Sequence, residues 1–219
     1  MKVVSVNVAS VAGEISAAAK RKVKTGIYKK PQSRRVQVGS QGIEGDFICN
    51  RKHHGGKDQA IYAYSREDYA FWSRSLNSLL GPGAFGENLT ISGIDFSALC
   101  IGDVLVLPDL QLQVTAPRTP CRMLSSAIKQ KNFSNKFNKA NRPGAYFRVT
   151  LEGTVGEGDE VKLKNFKDGA RITLAKFFRD KGAKLGREDL ERYLRLPIDE
   201  RSRKKFESQL RQNVKNSKK

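Results

Sequence analysis

The chain is poor in the residues that build metal and disulfide sites. Its 219 residues include 3 cysteines and 2 histidines. Cys49, Cys100 and Cys121 form no C-x-x-C pair, so no disulfide framework is indicated, and the usage fits a reducing compartment. His53 and His54 are adjacent and no third histidine exists, which excludes an all-histidine zinc site. No apolar run approaches the length of a membrane span. Met1-Lys-Val-Val-Ser-Val lacks a basic start followed by the apolar run of about 7–15 residues that marks a secretory signal. The expected location is therefore the cytoplasm, with no membrane partner. The glycine-rich Gly81-Pro-Gly-Ala-Phe-Gly-Glu-Asn-Leu89 lacks the G-x-x-x-x-G-K-S/T spacing, so it is not a nucleotide P-loop.

Acidic residues are the other shortage. Against 41 Lys and Arg stand 22 Asp and Glu, a net charge of +19. The surplus is uneven, since residues 162–219 hold 19 basic and 8 acidic side chains, a net +11. Such a field can serve a phosphate-bearing partner. The tail also carries Glu188, Asp189, Glu191 and Glu207 and no interleaved aromatics of the kind that stack bases, so a sequence-specific nucleic-acid reader is not expected. At 38% hydrophobic residues the chain can bury a sizeable core.

Short alternating runs dominate the first three quarters. Lys2 to Val8, Arg35 to Val38, Ala60 to Tyr64, Ile101 to Leu107, Leu110 to Val114 and Tyr146 to Leu151 read as strands with glycine turns between them. The Ser/Ala-rich stretch after Val8 and the basic Lys20 to Lys24 read as loop and connection. Ser65-Arg-Glu-Asp68 has the form of a capping box opening a helix, and its Tyr69, Phe71, Trp72 and Leu76 read as core. After Phe166 the period changes, and Thr173 to Phe178, Arg187 to Leu194 and Asp199 to Arg211 read as helices. The predicted fold is mainly β, a β-barrel with peripheral helices over residues 1–165. A small all-α domain follows over 170–211, then a basic flexible tail over 212–219.

Two stretches concentrate chemistry. Arg51-Lys-His-His-Gly-Gly-Lys-Asp58 packs both histidines and three cations into eight residues. It can be an anion cradle, a metal site or an ordinary turn, and glycine N–H groups beside basic side chains favour the cradle. Pro117-Arg-Thr-Pro-Cys121-Arg122 sets a cysteine between two arginines at the start of a helix. Thr119 is read as its N-cap and Pro120 as its first residue. Free backbone N–H groups, Arg118 and Arg122 would then lower the Cys121 pKa, suiting it to be a nucleophile or a soft-metal ligand. Cys49 and Cys100 read as structural, the latter within apolar Leu99-Cys-Ile101.

Taken in order, Gly42-Ile-Glu-Gly-Asp46, His53-His-Gly-Gly-Lys-Asp58, Phe85-Gly-Glu-Asn-Leu89, Ile101-Gly-Asp103 and Pro117-Arg-Thr-Pro-Cys121 resemble the MOSC domain family. The family is named for the C-terminal part of molybdenum cofactor sulfurase, and its YiiM-like branch has a three-helix C-terminal extension. The resemblance implies a β-barrel that binds the pterin molybdenum cofactor, with Cys121 bonded to the metal. It further implies reduction of N-hydroxylated bases such as 6-hydroxylaminopurine to the amine, a detoxification, with electrons from an unidentified donor. His53, His54, Gly55, Gly56, Lys57, Arg118 and Arg122 are then the candidate cofactor contacts. Asp58, Glu87 and Asn88 are candidates to hydrogen-bond substrate or relay protons, Asn88 being equally suited to shaping its loop. The alternative is a persulfide carrier acting on the same cofactor, and a third reading is a nucleic-acid-binding accessory. No cysteine desulfurase domain is fused here, so pyridoxal phosphate is not expected. A homodimer stays open.

Overall fold

A computed structural model describes residues 1–16, 22–49 and 55–216. His53 and His54 lie outside the described residues. The chain opens with β1 (Lys2–Val8), where Val3, Val6 and Val8 turn into the core across a register shift between Val3 and Ser5. Five short strands follow: β2 (Gly13–Ser16), β3 (Lys22–Thr25), β4 (Lys30–Pro31), β5 (Val36–Gly39) and β6 (Gly42–Ile43). A single 3-10 turn, Lys57–Gln59, leads into β7 (Ile61–Ser65) and α1 (Arg66–Leu76). Then come β8 (Leu89–Ser92), β9 (Val104–Val106), β10 (Gln111–Pro117), α2 (Arg122–Ile128) and α3 (Phe133–Ala140). The chain finishes with β11 (Ala145–Leu151), β12 (Gly153–Val155), β13 (Lys162–Lys164), α4 (Leu174–Asp180), α5 (Arg187–Leu194) and α6 (Glu200–Asn216).

Eight strands form one mixed sheet in the order β13-β9-β10-β11-β7-β8-β1-β4. All its pairs are antiparallel except β7 with β8. The expected β-barrel is borne out in part, as a sheet-dominated fold with an open strand order and six α-helices among the described residues. The ends do approach. Val3 N donates to Asp159 O (2.9 Å), Gly158 N to Val3 O (2.9 Å) and Val161 N to Met1 O (3.0 Å). The free edge of β1 is thus shared by β4 at one end and residues 158–161 at the other. The positive φ of Gly158 (91°) lets the chain turn there before β13 begins. Edge groups that would otherwise invite pairing with another chain are satisfied locally.

The N-terminal region departs from its reading as loop. Gly13–Ser16 and Lys22–Thr25 pair in register as a hairpin, with β-branched Ile15 and Val23 directly opposite each other among polar and charged neighbours that hid the strands. α3 was likewise not expected, because Asn132 and Asn141 at its ends hide it among polar residues. Both adopt the left-handed conformation that asparagine tolerates (φ 57° and 52°). Its Phe133 and Phe137 face Trp72 of α1 at 5.1 and 5.9 Å between ring centres, and the Trp72 Nε1 donates to the Tyr64 hydroxyl (2.7 Å). Aromatic packing of this kind locks α1 and α3 against the sheet. Ser65 caps α1 as expected, but through Glu67, whose N donates to the Ser65 Oγ (3.1 Å).

The C-terminal helices hold together on Phe177, Tyr193 and Phe206, whose ring centres lie 4.9, 5.8 and 5.0 Å apart. α6 continues to Asn216, past the Arg211 at which the sequence reading placed a flexible tail. No glycine or proline interrupts residues 200–216, and Asn213 Nδ2 anchors this last stretch on Leu185 O (3.0 Å). No helix among the described residues is long and apolar enough to cross a membrane.

Candidate functional site

A cleft of about 850 Å³ opens between the N-terminal hairpin, the β6–β7 connection and the start of α2. It brings together Cys121, Arg118, Arg122, Gly55 and Asn88 of the residues expected from the sequence. Cys121 is half-buried. The chain reaches it differently from the expectation: residues 118–120 stay non-helical, and Cys121 itself is the N-cap of α2 with extended backbone (φ −114°, ψ 165°). Pro117 and Pro120 account for this, since each disfavours helix in the residue before it and fixes its own φ. The sulfur is therefore carried by the approach to the helix.

Arg118 is buried beneath the cleft floor. Its guanidinium stands 4.6 Å from the Tyr62 ring centre and donates to Phe85 O (2.5 Å). Burial by itself would lower the pKa of this group. Tyr146, Tyr62 and Cys121, which accepts a hydrogen bond from it, outweigh burial and carry Arg118 above its ordinary value. Its Nε is buried with no partner among the described residues. Gly86 keeps this approach open, since a Cβ there would meet Ile27 Cγ1 at 2.9 Å in a backbone of φ +70°.

A second cation was not foreseen. Lys29 lines the cleft and pairs with Asp46, the two side chains being 7% and 5% exposed. Burial pushes the Lys29 ammonium down, while Asp46 pulls it back up. Asn88 holds this pair in place: its Nδ2 donates to Asp46 Oδ2 (2.9 Å) and its Oδ1 accepts from Tyr62 N (3.2 Å). Of the two roles open to Asn88, these contacts supply the shaping one. No sequence signal separates Lys29 from the basic residues around it. Tyr62, Gln59 and Tyr146 also reach the cleft, and their strand alternation could have pointed there.

Four expected residues take other places. Glu87 is fully buried and does not line the cleft. Its carboxylate accepts from Tyr69 Oη, from Gly83 N (2.8 Å), from Phe85 N (3.2 Å) and from Thr90 Oγ1 (2.8 Å), so it anchors the glycine loop from inside. Asp58 faces away from the cleft toward the C-terminal helices, accepting from Glu200 N (2.9 Å) and pairing with Arg148 (2.9 Å). Lys57 and Gly56 are exposed outside the cleft, Gly56 preceding the 3-10 turn with φ 83°. Cys100 is buried as read, but Cys49 is exposed and lines the cleft, which corrects its structural reading. Among the described residues no group of three or more His, Cys, Asp or Glu converges to hold a metal ion.

A thiol beside a buried arginine, in a cleft with a lysine–aspartate pair and glycine-lined walls, has the chemistry to hold an anionic ligand with a soft acceptor atom. Residues 50–162 match the family model described as MOSC domain, and the chain belongs to that family. It is 38% identical over 143 residues to the uncharacterized protein YflK of Bacillus subtilis (strain 168), covering 65% of each chain. A protein named Reductase from Gibberella moniliformis is 31% identical over 159 residues, covering 70% of this chain and 27% of that one. The matched region spans less than two thirds of either relative's own length. Among solved structures, YiiM from Geobacillus stearothermophilus superposes with a TM-score of 0.76 at 26% identity, covering 95% of this chain and 98% of that one. The chain is YiiM-like within the family.

Proposed function

We propose that the protein is a molybdenum-cofactor-dependent reductase that converts N-hydroxylated purines or related bases to amines, in the cytoplasm, with Cys121 as the protein's ligand to the metal. The observation that carries this reading is the placement of Cys121 against Arg118 in a cleft of about 850 Å³. The residues suit the cofactor: a soft sulfur donor for the metal, an unpaired buried Arg118 Nε and the Lys29 ammonium for its anionic groups, and Gly55 and Gly86, where backbone can approach closely. A single protein sulfur is enough where a pterin dithiolene supplies further sulfur donors. When bound, the group supplies two-electron chemistry that breaks the N–O bond, so that hydroxylamine, two electrons and two protons give amine and water.

The protein's part is to bind and orient. Arg118 and Arg122 flank the ligand sulfur with positive charge, and the apolar rings of Tyr62 and Tyr146 keep water from the inner wall. Lys29 stands at the cleft surface as a proton source whose position is fixed by Asp46 and Asn88. Arg118→Ala is expected to lose about 10-fold more bound molybdenum on dialysis than the parent, by analogy with outer partners of metal sites. Turnover per retained molybdenum should stay near the parent's. Equal retention with lost turnover would move Arg118 from holding the cofactor to the chemistry.

The persulfide carrier is the second reading, and exposed Cys49 favours it by placing another thiol in the same cleft. The two separate cleanly. In the reductase, Cys49→Ser retains turnover; in the carrier, the protein takes labelled sulfur on Cys121 and reduces nothing. Nucleic acid is not the proposed partner. Any DNA or RNA binding by the basic helices is expected to be weak and to fall steeply between about 50 and 200 mM salt, which filter binding at both salts measures; tight binding of one sequence at the higher salt overturns this.

A further inference from the structure

A second, smaller hollow of about 220 Å³ lies between the sheet and the C-terminal helices. It is lined by Lys181 at the end of α4, by Arg201, Ser202 and Lys205 of α6, and by Thr119, with Gln59 and Tyr146 shared with the large cleft. At about 30 Å³ per water of liquid volume it has room for roughly seven waters. Three cations therefore converge on one small space beside one nearby carboxylate, Asp199, whose field reaches Lys181 along with those of Lys205 and Arg201.

The charges are not arranged to satisfy each other. Asp199 Oδ1 accepts from Ser202 N (3.2 Å) and from Gln59 Nε2 (3.5 Å), while its Oδ2 is buried without a partner among the described residues. Lys205 Nζ donates to Lys181 O and Arg201 to Gln59 Oε1 and Gly55 O, so the cations hold one another's backbone or the cleft loop. The Ser202 Oγ is 1% exposed, lines the hollow and has no partner among the described residues. A buried hydroxyl without a partner costs about 1–3 kcal/mol, and a ligand oxygen would remove that cost. The end of α6 is not itself the attraction, because Asp199 and Asp58 already cap it.

We infer that this hollow is a phosphate-monoester subsite, and that the substrate enters as a nucleotide whose base occupies the cleft and whose phosphate occupies the hollow. The inference rests on the reading of the cleft as the site of an N-hydroxylated base. A phosphate monoester carries a charge of about −1.5 to −2 near neutral pH with three acceptor oxygens, which matches three cations and one hydroxyl. Gln59 and Tyr146 form the partition between the two spaces, so a ribose would span it. An unphosphorylated base would leave the Ser202 hydroxyl in the hollow without a partner among the described residues. The pterin's own phosphate shares this chemistry, and the arms below separate the two sources.

The test uses cofactor-free full-length protein and calorimetric titration with inorganic phosphate, adenosine and adenosine 5′-monophosphate. The monophosphate should bind at least 10-fold tighter than adenosine and be displaced by inorganic phosphate. Lys181→Gln/Lys205→Gln should lose both that preference and phosphate binding while keeping adenosine affinity, thermal midpoint and, after loading, molybdenum content. Lys205→Gln alone, an exposed position, should give an intermediate loss if the double variant misfolds. Equal affinity for nucleoside and nucleotide overturns the nucleotide claim, as does phosphate binding that survives in the double variant. Molybdenum lost with the two lysines would hand the subsite to the cofactor. Failure of the reductase reading shows differently, as loaded parent protein that reduces no N-hydroxylated base while phosphate binding and its loss in the double variant persist.

Discussion

Cys121→Ser is expected to abolish reduction of 6-hydroxylaminopurine by cofactor-loaded protein supplied with an artificial electron donor. Outer partners of a metal site cost about 10–100-fold when removed, and replacing the only protein ligand in the proposed arrangement should exceed that. A hydroxyl is a harder and far less acidic donor than a thiol, so the volume is nearly kept while the metal–ligand bond is lost. Cys49→Ser and Cys100→Ser are the controls. Cys49 lies in the same cleft, so its variant asks whether any thiol there suffices, whereas Cys100 is buried against Ala98 O and can report only on stability. Metal content read beside turnover separates loss of binding from loss of chemistry. Full turnover by Cys121→Ser, with loss in the Cys49 variant, would put the ligand at the wrong cysteine.

Glu87→Ala is expected to be the most destabilising single change near the site. Its carboxylate receives Tyr69 Oη, Gly83 N, Phe85 N and Thr90 Oγ1 in a fully buried pocket. Each buried donor left without a partner costs about 1–3 kcal/mol. Even with some re-pairing to water, a loss of at least about 4 kcal/mol is expected against the roughly 5–15 kcal/mol that holds a domain folded. Glu87→Gln keeps one acceptor oxygen but turns N–H groups toward donors, and should cost about 2 kcal/mol by the same accounting. Urea unfolding measures both. A Glu87→Ala protein that unfolds at the parent's midpoint yet has lost turnover would return the residue to catalysis.

Glu87 and Asp58, two acidic candidates that the structure places outside the cleft, show where linear reading stops. Both sit in motifs rich in glycine, where an acid that reacts and an acid that ties down a loop have the same spacing. The difference lies in partners such as Tyr69 and Glu200, which stand 18 and 142 residues away. Cys121 and Arg118 were legible because proline, arginine and cysteine are adjacent there, and their chemistry depends on that adjacency. Lys29 was not, since what makes it distinctive is Asp46 and burial. In the fold, strands with valine alternation such as β1 were legible to the residue, whereas each strand of the β2–β3 hairpin carries one large aliphatic residue, Ile15 or Val23, and relies on pairing. How far the barrel closes is recorded by no periodicity, since it depends on the turn at Gly158 that takes residues 158–161 along β1 before β13 pairs with β9.

Asp58 joins two parts of the molecule that the sequence presents as separate. Its backbone oxygen receives the Thr115 hydroxyl (2.6 Å), and its carboxylate receives both Arg148 and the first N–H of α6. Arg201, the next residue, returns to Gly55 in the cleft wall. The C-terminal helices and the cleft loop therefore share their restraints, and by linkage a ligand that steadies residues 55–59 favours the docked α6 by the same coupling free energy with which the docked α6 favours the ligand. The three-helix extension acts as a thermodynamic reporter of occupancy: a filled cleft shows as a slower-exchanging α6 backbone.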